Sequence, residues 1–133
     1  MTPQPLTSQV PAMVLLNWFR PQWRHSDPDV RLESIRTIED PAVLVEIIVR
    51  DGEWFVRHEA FAALRAIDPD ETHYGRLMRE SSDEEIRRKA VKIMTDEAEL
   101  ERVAREDKYL YIRDAAAHRL DEIRTGLWDH LQK

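Results

Sequence analysis

The stretch Asp27-Pro28-Asp29-Val30-Arg31-Leu32-Glu33-Ser34-Ile35-Arg36, with Leu44-Val45-Glu46-Ile47-Ile48 after it, sets a pattern that returns along the chain. Counted from Val30, small or apolar residues fall at Ser34, Ile35, Ile38, Leu44, Ile47 and Ile48. Counted from Ile86, the same offsets give Ala90, Val91, Met94, Leu100, Val103 and Ala104. The acids agree as well: Asp40 and Asp51 match Asp96 and Asp107. Four dipeptides anchor the copies, Val30-Arg31, Val56-Arg57, Ile86-Arg87 and Ile112-Arg113, at spacings of 26, 30 and 26 residues. Self-similarity at a fixed period is the signature of a repeat architecture.

The other two copies keep the same opening. Val56, Ala60, Phe61 and Leu64 start the second, and an insertion around Asp68-Pro69-Asp70 accounts for its longer spacing before Tyr74, Leu77 and Met78 return to register. The fourth keeps Ile112, Ala116, Ala117 and Leu120 and then departs, as a terminal repeat does when no neighbour covers it. Apolar residues at offsets 0, 4, 5 and 8 share one helical face, so each unit reads as two short helices. Asp27-Pro28, Asp40-Pro41 and Asp68-Pro69 put an acid at the N-cap and a proline at the first helical position. Ser82 or Asp83, and Asp96, suit the same purpose later. The pattern predicts helices near 10–19, 28–38, 41–50, 54–66, 70–80, 83–94, 97–106 and 109–123, which is about four antiparallel pairs. Residues 1–9 read as a flexible N-terminal segment, 10–125 as one repeat domain, and 126–133 as a C-terminal cap or tail.

The pattern at 27–36 and 44–48 resembles HEAT repeats of the short bacterial and archaeal kind. Phe19-Arg20-Pro21-Gln22-Trp23-Arg24-His25 is similar to the opening of small prokaryotic HEAT-like proteins. The resemblance covers roughly residues 20 to 125 and implies an all-α, HEAT-like helical solenoid. Its matching residues are structural, so it says little of function.

Composition narrows the classes further. In 133 residues there is no cysteine, which excludes disulfides, Cys-based zinc sites and thiol nucleophiles. Charged residues make up 35% and the net charge is -6, which argues against nonspecific nucleic-acid binding. The apolar run from Val10 to Phe19 is about half the length that spans a bilayer. With no Lys or Arg in Met1–Gln9, no signal peptide is indicated, and the expected location is cytoplasmic.

Offset 1 lies close to the apolar face, so Arg31, Arg57, Arg87 and Arg113 are expected to bury their stems along the stack. Their guanidinium groups then need partners, with Asp27 or Asp29, Asp51 or Glu53, Asp83, and Asp107 as candidates. The HEAT resemblance implies such an Asp-Arg ladder between turns. The alternative role for these arginines is binding phosphates or carboxylates of a ligand.

The same wheel exposes offsets 2, 3 and 6, and the resemblance implies that the helix bearing them lines the concave side. The candidate partner-binding residues there are Glu33, Arg36, His58, Glu59, Arg88, Lys89, Lys92, Asp114 and His118, with Leu32, Ala62 and Ala115 between them. Arg87, Arg88, Lys89 and Lys92 form a basic run, either a solvated face balanced by Asp83, Glu84 and Glu85 or a docking site for an acidic partner or phosphate. Trp18 and Trp23 are expected to plug the N-terminal end, Trp54 to pack across a turn, and Trp128 to cap the C-terminal end or bind a partner. Tyr109 and Tyr111 offer an amphipathic contact patch.

No catalytic motif appears. His58-Glu59 lacks a second histidine because position 62 is Ala, and His25, His58, His73, His118 and His130 are scattered. The expectation is therefore a non-enzymatic scaffold or small subunit that binds another protein, with no cofactor, no obligatory metal, no nucleic acid and no membrane. Two other classes are weighed beside it: a partner resembling HEAT-type chromophore lyases, and a nucleic-acid enzyme resembling the HEAT-type alkylpurine DNA glycosylases.

Overall fold

The computed structural model describes residues 21–67 and 72–126. Among them are seven α-helices and no strand: α1 Pro28–Ser34, α2 Pro41–Arg50, α3 Trp54–Ile67, α4 Thr72–Glu80, α5 Glu84–Ile93, α6 Glu97–Glu106 and α7 Leu110–Thr125. Single 3-10 turns span Gln22–Arg24 and Ile35–Thr37. The helix expected at 10–19, with Trp18, lies outside the described residues, as do the insertion at Asp68-Pro69-Asp70, Trp128 and the tail from 127.

Aspartates start most of these helices. Asp27 accepts from the Asp29 amide at 2.9 Å and Asp40 from the Ala42 amide at 3.0 Å, each with proline at the first helical position. Asp83 accepts from the amides of Glu85 and Ile86, and Asp96 from that of Glu99. Each such cap satisfies amides that have no partner inside the helix, worth about 1 kcal/mol.

The helix expected at 28–38 stops being α-helical at Ser34. Ser34 and Thr37 turn their hydroxyls onto the carbonyls of Arg31 and Ser34, at 2.7 and 2.8 Å, and the Ile38 amide closes a 3-10 turn on Ile35. Such local bonds compete with helix, and Asp40, preceding Pro41, is disfavoured in the α region.

The core is one cluster drawn from six of the seven helices together with Ile35 and Met94. It takes Leu44, Val45, Ile47 and Ile48 from α2 and Val56, Ala60, Phe61 and Leu64 from α3. Tyr74, Leu77 and Met78 come from α4, then Ile86, Ala90 and Val91 from α5, Leu100 and Val103 from α6, and Ile112, Ala116 and Leu120 from α7. Most of these are positions that the repeat register marks as inward. Val45 is buried without being among them, Val30 is marked but only half-buried, and Ala117 is exposed, because α7 has no following unit against it among the described residues.

Every substantial helix-to-helix contact joins elements one or two positions apart: α1 with α3, α2 with α3 and α4, α4 with α5, and α7 with α5 and α6. Gly75 fits this packing, since a Cβ there would stand 3.3 Å from the Glu99 side chain of α6.

Candidate functional site

The four offset-1 arginines stand at equivalent repeat positions and bond to the aspartate turns, though not all in the same way. Arg31 donates from Nε and Nη2 to the two carboxylate oxygens of Asp51, at 2.8 and 3.1 Å. Its Nη1 reaches the carbonyls of His25 and Ser26. Arg57 donates from Nε to Asp83 Oδ2 at 3.0 Å and from Nη1 to the Asp51 carbonyl at 3.0 Å. Arg87 pairs with the Asp107 carboxylate, and Arg113 donates to the Asp107 carbonyl at 2.5 Å. Thus Asp51 and Asp107 each receive one arginine on the carboxylate and the next on the carbonyl.

The carboxylates come from one turn further along than Asp27 and Asp29, the acids expected to meet Arg31. Asp27 is occupied in capping α1, and Asp51 folds back to Arg31 from the end of α2. Arg87 likewise takes Asp107 rather than Asp83, which faces Arg57. Each of these aspartates also accepts a nearby amide, that of Glu53, Glu85 or Tyr109, so the turn and the ladder fix one another.

Asp83 carries the densest arrangement. Its Oδ1 caps α5, while Oδ2 accepts from Arg57 Nε and lies 3.0 Å from His58 Nε2. Burial works to raise this carboxyl. The bond from Arg57, the Ile86 amide and the positive charge of Arg57 outweigh it and hold the group below its ordinary value. The other ring nitrogen of His58, Nδ1, lies 3.1 Å from Lys89 Nζ.

The candidate partner-binding residues do not all stand equally free. Glu33, Arg36, Glu59, Ala62, Lys89, Lys92, Asp114 and His118 are exposed, whereas Leu32, His58, Arg88 and Ala115 are half-buried. Leu32 and Ala115 pack on the core. Arg36 pairs with Glu33, Arg88 with Glu85, and His118 with Glu122. Lys89 and Lys92 have no carboxylate within ion-pairing distance among the described residues.

Arg119 is a site residue that the repeat pattern passed over. It is only 3% exposed and donates from Nε to the Met94 carbonyl at 2.8 Å, closing the C-terminal end of α5. With Lys92, Ala115, His118 and Glu122 it lines a cleft between α5 and α7. The available signal was its offset of 7 from Ile112, where other units place Ala63 and Ile93, both packed on the core.

Among the aromatics, Trp23 packs partly against the core with Arg24 over its ring. Trp54 is 65% exposed and makes edge contacts with Phe55 and His58, instead of packing across a turn. It precedes the first inward residue of α3 by two, which turns it away from the core. Tyr109 and Tyr111 lie side by side with centroids 5.8 Å apart, and the Tyr111 hydroxyl donates to Glu84. That bond, with Glu84's negative charge, pushes the Tyr111 hydroxyl up to about 12 and lowers the Glu84 carboxyl.

Among the described residues no group of three or more His, Asp or Glu could hold a metal ion, and no helix is long and apolar enough to cross a membrane. No family model matches the chain, and no curated protein or solved structure matches it either.

Proposed function

We propose that this chain is a HEAT-like helical solenoid acting as a non-enzymatic protein-interaction scaffold, with an acidic partner docking on the basic row of exposed Lys89 and Lys92 and half-buried Arg88. One observation carries the reading. Lys89 and Lys92, three residues apart on α5, are exposed and without a carboxylate partner among the described residues, on a chain of net charge -6. An unneutralised basic patch on an acidic molecule has more to gain from an acidic surface than from solvent, chiefly in association rate. The helical repeat supports the same reading, because stacked helix pairs build extended binding surfaces. Its inward offsets are apolar and nearly uniform, while the outward ones vary from Glu33 and Arg36 to Lys89, Lys92 and Asp114.

The test is charge reversal, Lys89→Glu with Lys92→Glu, against a partner recovered from the native host. Unchanged melting with association slowed on the order of tenfold, and a weaker salt dependence, is the expected result. Association at the parental rate in a folded double variant would move the interface off this row. A recovered nucleic acid or tetrapyrrole in place of a protein would overturn the scaffold reading itself.

A further inference from the structure

Lys89, His58 and Asp83 stand in a line across α3 and α5. Asp83 Oδ2 lies 3.0 Å from His58 Nε2, and Lys89 Nζ lies 3.1 Å from His58 Nδ1. A carboxylate only accepts, so Nε2 carries the ring hydrogen and Nδ1 presents its lone pair to the lysine. The order is nucleophile, base and orienting group, the arrangement that activates a weak nucleophile.

The orienting end is well held. Asp83 is fixed by Arg57 and by the Glu85 and Ile86 amides, and its side chain is 10% exposed. The nucleophile end is open: Lys89 is exposed, and the exposed Trp54 ring stands with its centroid 6.1 Å from that of His58. Lys92, three residues further on the same helix, adds a second exposed positive charge that favours the approach of an anionic acyl donor.

We infer that Lys89 is a modification site that accepts an acyl group from an acyl phosphate. In its amine form Lys89 donates one N–H to His58 Nδ1 and keeps its lone pair for the acyl carbon. The C–N bond forms and the carbonyl pair moves to oxygen. It returns as the bond to phosphate breaks, and phosphate leaves with the bonding electrons. The proton that the nitrogen must lose passes to His58 Nδ1, where Asp83 faces the imidazolium, and then to water. The products are an amide on Lys89 and inorganic phosphate. That such an amide would discharge part of the basic row rests on the scaffold reading, whereas the reactivity of Lys89 does not.

The experiment treats the full chain with acetyl phosphate and follows acetylation of Lys89, Lys92 and Lys108 separately by mass spectrometry. Lys89 is expected to react at least roughly tenfold faster than the other two, a modest share of what a positioned base supplies. His58→Gln, and as a second variant His58→Phe, should bring Lys89 down to the rate of Lys92 while circular dichroism shows the parental helix content. Equal rates for Lys89 and Lys92 in the parent chain would overturn the assignment, whatever the variants do. So would an undiminished Lys89 rate in either folded variant.

Discussion

Asp83 divides its two oxygens between two tasks, and they can be separated by one substitution. Oδ1 caps α5 through the Glu85 and Ile86 amides, and Oδ2 faces Arg57 and His58. Asparagine caps helices about as well as aspartate, so Asp83→Asn keeps the first task and removes the charge behind the second. A loss of about 1.5–3 kcal/mol at pH 7 is predicted, the range for hydrogen bonds to a charged group. The carboxyl is held below its ordinary value in the folded chain, so its contribution is full above the unfolded value, near 3.8. It is lost as pH falls through the lower folded value. Denaturant melts of parent and variant between pH 7 and pH 2 should therefore show a gap that closes below about pH 4. A gap that stays constant down to pH 2 would mean that the charge of Asp83 contributes nothing. The acids of the ladder were legible in the sequence through their register, Asp51 with Asp107, but which arginine each would meet was not. Arg31 and Asp51 are twenty residues apart, and a spacing does not say which way a turn folds back.

Between capping and packing, the helices were read well where the two signals agreed and poorly where they did not. Pro41–Arg50 and Glu97–Glu106 have an aspartate at the start and an inward stripe along their length, and the expected bounds match the observed ones. The first helix has the cap without a long stripe, and hydroxyls at Ser34 and Thr37 draw its end into a 3-10 turn. Arg119 was missed for a related reason: a charged residue at an inward offset reads as solvent-facing until a carbonyl such as that of Met94 is placed within its reach. At the far end, α7 stops on Gly126, which adopts the left-handed conformation at φ 71°. Nothing lies within 4 Å of where a Cβ would stand, so the cost of Gly126→Ala is conformational alone. It is predicted at about 1–2 kcal/mol, a fall of a few degrees in melting temperature. A variant that melts with the parent would show that the left-handed turn is dispensable to α7.

Across the whole molecule the question is how far a local break spreads, and the contact pattern gives an answer. Substantial contacts join helices one or two positions apart, and those of α1 and α2 lead to α5, α6 and α7 by way of α4. Arg87 sits in the later part: 7% exposed, it ties α5 to the Asp107 turn, and the Asp107 carbonyl in turn holds Arg113 of α7. Arg87→Ala strands the buried Asp107 carboxylate and removes a packed stem, a predicted loss of about 2–4 kcal/mol. Arg88→Ala is the control, since its side chain is far more exposed and among the described residues pairs with Glu85, one turn away. Where contacts run between near neighbours, the loss is felt first by the helices that share the broken contact. Amide exchange in α5, α6 and α7 should accelerate on the order of 30- to 1,000-fold, the equivalent of that energy, with α1 and α2 close to parental protection. Exchange that rises equally in all seven helices would mean that the chain opens as one cooperative unit. Damage from Arg88→Ala instead of Arg87→Ala would reverse the inward and outward faces assigned to α5.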